Sequence, residues 1–219
     1  MQEANDLTPR GRNFYRPSEY FDYNVPNGVI RNSAGTRMLT VPQELLAGVH
    51  GALDDETGAA APIVLYNCGK WWGRRFIERH ANELRRFYQK DAGELPLAFF
   101  LQVLRRIWAL YGYGRLDVSF ELEDKGFIVV NVLNAPYSDT VGNLGRPTEA
   151  LMAGVLAAII TNLAGRDLEC AQTSCTSKGE RQASFLVGTH ARVEVLRSWI
   201  KQGRSHGQIV EAIQAGELS

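Results

Sequence analysis

The residues of this chain whose types could do chemistry are four histidines, three cysteines, a helical run of arginines and one pair of helix-spaced glycines. Cys170 and Cys175 form a Cys-x4-Cys pair, near the wide end of metal-ligand spacing. In an extended strand that odd spacing sends them to opposite faces. His50, His80, His190 and His206 are scattered, so no nearby histidine completes a metal set, and no metal site is expected. Buried structural cysteine is the default. His80 lies on an apolar stripe between Phe76 and Leu84, where a satisfied core histidine is the default. Arg74, Arg75, Arg79, Arg85 and Arg86 could grip carboxylates or phosphates. More often such a face is solvated, with pairs such as Glu83–Arg86 contributing little. The chain has no Gly-rich phosphate loop, no Ser/Cys–His nucleophile signature and no carboxylate pair with a reason to converge. No catalytic residue is assigned.

The run from Cys68 to Glu78, Cys-Gly-Lys-Trp-Trp-Gly-Arg-Arg-Phe-Ile-Glu, places Gly69 and Gly73 one helical turn apart. Each glycine costs a helix ~1 kcal/mol relative to alanine, so something must approach closely there. A neighbouring helix and the wall of a flat ligand are both open readings.

These residues need elements to hold them. Asn13 to Asn27 reads as irregular, with Pro17 and Pro26 as breakers. Gly28–Asn32 and Thr36–Val41 read as strands, and Pro42 starts a helix that fades at Gly58. The longest helical pattern runs from Ile63 to Lys90, and a second helix opens at Pro96 and stops at Gly112. Leu116–Leu122 alternates strictly and returns through Phe127–Leu133, a hairpin. Asn134–Arg146 reads as a loop, and Pro147–Ala164 as an apolar helix closed by Gly165. Leu168–Thr176 and Arg181–Gly188 form another hairpin. Thr189 caps a helix ending at Gly203, and Ser205 with Gln208 forms a capping box for the last one. The order ββ-ααα-ββ-α-ββ-αα predicts an α+β fold, an antiparallel sheet of hairpins packed against helices. Residues 1–27 read as an irregular N-terminal extension and residues 28–219 as a single domain.

The 219 residues carry 24 basic and 24 acidic side chains, which argues against a nucleic-acid partner. Hydrophobic residues at 45% are enough for a real core, so a disordered chain is excluded. Three cysteines are too few and odd for a disulfide framework, which points to a reducing, cytoplasmic setting. Leu151–Ile160 is strongly apolar but short of the ~20 residues a spanning helix needs, so a buried helix and no transmembrane segment are expected.

The Gly69-x-x-x-Gly73-x-Arg75-Phe76-Ile77-Glu78 run resembles the corresponding helix of the small TRAPP vesicle-tethering subunits. Those share a superfamily with haem–nitric-oxide sensors and 4-vinyl-reductase-like domains. The last hairpin, Gln172-Thr-Ser-Cys-Thr-Ser-Lys-Gly-Glu-Arg-Gln-Ala-Ser-Phe185, resembles that of the 4-vinyl-reductase-like domains. Thr173, Cys175, Gly179, Glu180 and Phe185 match, while Gln172 and Ala183 stand where relatives carry Glu and a second Cys. The departures remove two ligands of any zinc site built that way. The resemblance covers roughly Gly28 to Gly216.

It implies a fold holding an apolar small molecule, a tetrapyrrole or a lipid, which Trp71, Trp72, Phe76, Phe99, Phe100 and Trp108 would line. Gly69 and Gly73 would then form a ligand wall, and His80 a conceivable axial ligand. The aromatic extension and degenerate hairpin look most like cyanobacterial members associated with photosystem II assembly. That implies photosystem II subunits or assembly factors as partners, a peripheral place at the thylakoid membrane and a homodimer. Two alternatives stand beside it: a reductase or reductase subunit acting on the vinyl group of a chlorophyll precursor, and a pure interaction scaffold like the tethering subunits. A reductase would need its reductant from elsewhere, because no dinucleotide fingerprint is present.

Overall fold

The computed structural model describes residues 15–218. Residues 1–14 of the expected N-terminal extension lie outside the described residues. The fold is α+β with antiparallel sheets, as the hairpin pattern predicts. The described chain divides into two compact units.

One unit comprises residues up to Pro42 together with Glu78–Gly112. It opens with α1 (Pro17–Tyr20) and a three-stranded antiparallel sheet of β1 (Phe21–Asn24), β2 (Val29–Asn32) and β3 (Arg37–Met38), in that order. Residues 15–27 are therefore not irregular. Asn24 pairs with Val29, and the expected boundary between residues 27 and 28 falls inside this β1–β2 hairpin. The turn is made by the Asn24 side chain accepting from the Asn27 N–H at 3.3 Å, with Gly28 in the left-handed region at φ 59°. The expected strand Thr36–Val41 shortens to the two residues of β3. The C-terminal part of α3 (Ala61–Tyr88) and all of α4 (Leu97–Leu110) complete the unit. α4 buries Phe99, Phe100, Val103, Leu104, Ile107 and Trp108, the stripe its three- and four-residue spacing predicts.

The other unit comprises Gln43–Ile77 and Tyr113 onward. α2 (Gln43–Thr57) and the first part of α3 precede a four-stranded antiparallel sheet. Its strands are β4 (Arg115–Ser119), β5 (Ile128–Leu133), β6 (Glu169–Ser174) and β7 (Ala183–Gly188), in the order β4-β5-β7-β6. Val129 faces Leu186 and Val130 faces Phe185 across β5 and β7. Leu186 and Val129 join a core with Val193, Leu196 and Trp199 of α7 (His190–Lys201) and Ile209 and Ile213 of α8 (His206–Gln214). By strand alternation Val130 and Phe185 point to the opposite face.

α6 (Ala150–Ala164) packs against β6 and β7 and is buried continuously from Met152 to Ile160. Its 15 residues are too few to cross a bilayer, and no described helix is long and apolar enough to do so. The expected loop Asn134–Arg146 contains a short helix, α5 (Pro136–Val141), entered through Pro136 in the first turn. Ser205 and Gln208 form the expected capping box, whereas the Thr189 side chain makes no cap hydrogen bond.

Candidate functional site

Gly69 and Gly73 face α6. A Cβ on Gly69 would stand 2.0 Å from the Leu151 carbonyl oxygen, and one on Gly73 would stand 2.8 Å from both the Ala158 Cβ and the Val155 oxygen. The approach is reciprocal: a Cβ on Gly154 would lie 2.0 Å from the Tyr66 oxygen. Of the two readings open for the glycine pair, a neighbouring helix is what occupies this face. The ligand-wall reading of Gly69 and Gly73 gives way to it. The role of Gly154 is invisible in α6 alone, where a glycine among alanines looks like any small residue.

The aromatic residues of the same run separate. Trp71 is 65% exposed, with the Arg75 guanidinium 5.9 Å from its ring centroid, so it lines no interior. Trp72 is half-buried and meets Tyr113 edge-on at 5.3 Å. Phe76 is fully buried.

In the unit containing Glu78–Gly112, helical spacing places His80, Glu83 and Leu84 on one buried side of α3. His80 is 0% exposed. Its Nδ1 is 2.8 Å from the Tyr15 hydroxyl, and the Phe100 ring meets it edge-on at 5.6 Å. Glu83 is the residue that sequence reasoning misread. It is buried, not part of a solvated pair with Arg86, whose guanidinium donates instead to the Ala34 carbonyl. The Glu83 carboxylate accepts from Tyr15 at 3.1 Å, from Tyr20 at 3.1 and 3.2 Å, and from the Asn32 amide at 2.7 Å. Arg79 lies 4.0 Å away.

A tyrosine hydroxyl has one proton to give. With the Tyr15 and Tyr20 protons on Glu83, His80 must donate from Nδ1 to Tyr15, and Tyr111 must donate to Tyr20 across their 2.9 Å contact. The arrangement is a relay of donors ending on one carboxylate. Burial pushes the Glu83 carboxyl up, opposed by the tyrosine donors and Arg79. Burial, and then the neighbouring Arg79 charge, push His80 down to about 3, so its imidazole is neutral at physiological pH.

Phe99 packs on Tyr88 at 5.3 Å, and Trp108 is fully buried. Four expected site residues, His80, Phe99, Phe100 and Trp108, thus share one unit, while Gly69, Trp71, Trp72, Gly73 and Phe76 belong to the other. The spacing of three from His80 was the available signal for Glu83. Tyr15, Tyr20 and Asn32 reach it across 51 to 68 residues of sequence and left none.

The matched hairpin positions serve the sheet. The Thr173 hydroxyl donates to the Ser184 carbonyl at 3.1 Å and lies 2.7 Å from His206 Nδ1. Cys175 is fully buried, its Sγ 2.9 Å from Ser177 Oγ. Gly179 takes φ 82° to close the turn, Glu180 is exposed, and Phe185 is fully buried. Gln172 plays a structural part, its amide oxygen accepting from the Glu149 N–H at 2.8 Å. Cys170 is buried, and its thiol is pushed up by desolvation. A register shift between Gln172 and Ser174 interrupts the simple alternation expected between the two cysteines.

Among the described residues one group has metal-ligand geometry, Glu169, His190 and Glu194, whose donor atoms lie within 4.8 Å of one another. Arg197 already supplies the positive charge there, 2.7 Å from Glu169 and paired with Glu194.

No family model and no curated protein matches the chain. Among solved structures, the phenol-responsive sensory domain of the transcription activator PoxR, with phenol, superposes with a TM-score of 0.62 at 15% identity, over 78% of this chain and 86% of that one. This chain has that fold. A vinyl-4-reductase family protein from Methanocaldococcus jannaschii gives a TM-score of 0.46 at 17% identity, over 68% and 82% of the two chains. A trafficking protein particle complex subunit 3 from Naegleria fowleri, covalently bound to palmitic acid, gives 0.47 at 18%, over 67% and 93%.

Proposed function

We propose that this chain is a binding module for an apolar small molecule, held by His80, Phe99, Phe100 and Trp108. The observation that supports it is the fully buried, uncharged His80, flanked by Phe100 and Tyr15, in a chain with the fold of a domain solved with phenol. A neutral imidazole among aromatic walls suits a ligand that is mostly apolar and carries few polar groups.

The sequence resemblance adds a finer reading: a tetrapyrrole or a lipid as ligand, and an accessory role in photosystem II assembly, peripheral at the thylakoid membrane. That reading takes residues 28–219 as the working domain and the assembly as a homodimer. Leu45 and Val49, exposed one turn apart on α2, offer an apolar surface for pairing. Light scattering tests the dimer, and a species of only ~24 kDa at micromolar concentration overturns it.

Mass spectrometry and an absorbance scan of natively extracted protein test the ligand. A released apolar molecule supports the proposal. Turnover of a divinyl substrate with a supplied reductant favours the reductase reading instead. Protein that neither carries nor takes up any apolar molecule favours the scaffold.

A further inference from the structure

The first half of α3 carries an apolar stripe that no part of its own unit covers. Gly69 and Gly73 point to α6, and helical spacing sends Val64, Cys68 and Trp71 to the opposite side, at steps of four and three. All three are exposed, Val64 to 38% and Trp71 to 65%. Single exposed apolar residues are ordinary, whereas a contiguous row on one helix face marks a contact surface. Positive charge frames the row. Lys70 and Arg74 flank Trp71 on one side, and the Arg75 guanidinium lies 5.9 Å from its ring centroid. Among the described residues neither Lys70 nor Arg74 has an ion-pair partner. From Ala61 to Ile77 the helix has no acidic residue, and Glu78 is the first. The acidic end of α2, Asp54 to Glu56, precedes Val64 by eight residues or more, so the surface centres on Trp71.

We propose that this face of α3 docks the chain on a bilayer surface that carries anionic lipid. Trp71 lies at headgroup level, Val64 and Cys68 sink beside it, and Lys70 and Arg74 meet the headgroups. Tryptophan favours the membrane–water interface, and basic side chains beside an apolar helix face add attraction to anionic headgroups. A second copy fits this face less well. Symmetric pairing about Trp71 would set Lys70 and Arg74 against their own copies, like charge on like. The inference rests on the peripheral membrane placement proposed above, and gives that placement a surface and a headgroup charge.

The test is sedimentation of the intact chain with vesicles of phosphatidylcholine, alone or mixed with phosphatidylglycerol. The expected result is binding to the mixed vesicles only, weakened by added salt and accompanied by a blue shift of tryptophan emission. Trp71→Ala should lower the partition coefficient ~10-fold or more and remove the shift. Lys70→Gln and Arg74→Gln should each lower it about fivefold, the worth of one charge at the surface. Leu144→Ala, an exposed apolar residue outside this face, should bind as the unaltered chain does. Unchanged melting temperatures show that the variants are folded. Equal binding to neutral vesicles overturns the proposal, as does an equal loss in Leu144→Ala. Undiminished binding of Trp71→Ala overturns the surface and leaves the peripheral placement standing. No binding of the unaltered chain overturns both.

Discussion

The two parts of α3 bury themselves by opposite means. Up to Ile77 the helix presents Gly69 and Gly73, so that α6 meets bare backbone. From Glu78 onward it presents His80 and Glu83, and must import hydrogen-bond partners, Tyr15, Tyr20 and Asn32, to make their burial tolerable. The first contact depends on shape and tolerates no added atom. The second depends on a complete set of hydrogen bonds and tolerates shape changes better than the loss of one partner. A binding site needs the second kind of surface, because only polar groups fix a ligand's orientation.

The contrast is sharpest in Gly69→Ala and Gly154→Ala. Each adds a methyl that would lie 2.0 Å from a backbone oxygen, which no rotamer can relieve. We expect a loss of ~3 kcal/mol or more in urea unfolding. Gly48→Ala on α2, where an added Cβ meets nothing within 4 Å, should gain up to ~1 kcal/mol. Equal effects at the three positions would end the close-approach account. Next comes Glu83→Leu, which strands three buried donors and should cost ~2–4 kcal/mol. Glu83→Gln keeps an acceptor and should cost clearly less; identical losses would mean that volume, not hydrogen bonding, matters there.

How far this was readable in the sequence follows from the range of each interaction. The two hairpins of the four-stranded sheet and the apolar α6 announce themselves through local periodicity, and the capping box at Ser205 through a three-residue spacing. α5 does not, because six residues opening on Pro136 look like any Pro-containing loop. β1 lies between Pro17 and Pro26 and becomes a strand only by pairing with β2. The buried face of α3 was legible at His80. Glu83 was not read as part of it, because a glutamate among arginines looks solvated until Tyr15 and Tyr20 are known to reach it. The packed rings of His50 and Tyr137 are 87 positions apart, and nothing local connects them.

Acid should probe the polar surfaces in both units. His80 and His50 are held near 3 and 4, below the ordinary 6.5. Their contribution is full above pH ~6.5 and is lost as the pH falls toward those values, because the unfolded chain takes up protons that the folded one refuses. Each should add a slope of up to ~1.4 kcal/mol per pH unit across that window. Denaturant midpoints measured from pH 7 to 4 should show it, with His50→Phe removing one share; a flat profile contradicts neutral burial. The smallest effect is expected at Cys175→Ser. The new hydroxyl has the Ser177 hydroxyl within reach, so ~1 kcal/mol is the expected cost. EDTA should leave the melting curve unchanged, whereas a large drop together with stoichiometric zinc would restore a metal role for the hairpin.

The most direct test of the binding account is native mass spectrometry of the chain extracted without denaturant, compared with its Phe100→Ala, Trp108→Phe variant. The account predicts a non-covalent mass above the 24.4 kDa chain that is released on acid denaturation and depleted in the variant. A bare 24.4 kDa chain, together with no saturable rise in melting temperature with phenol, a fatty acid or a tetrapyrrole, would contradict it.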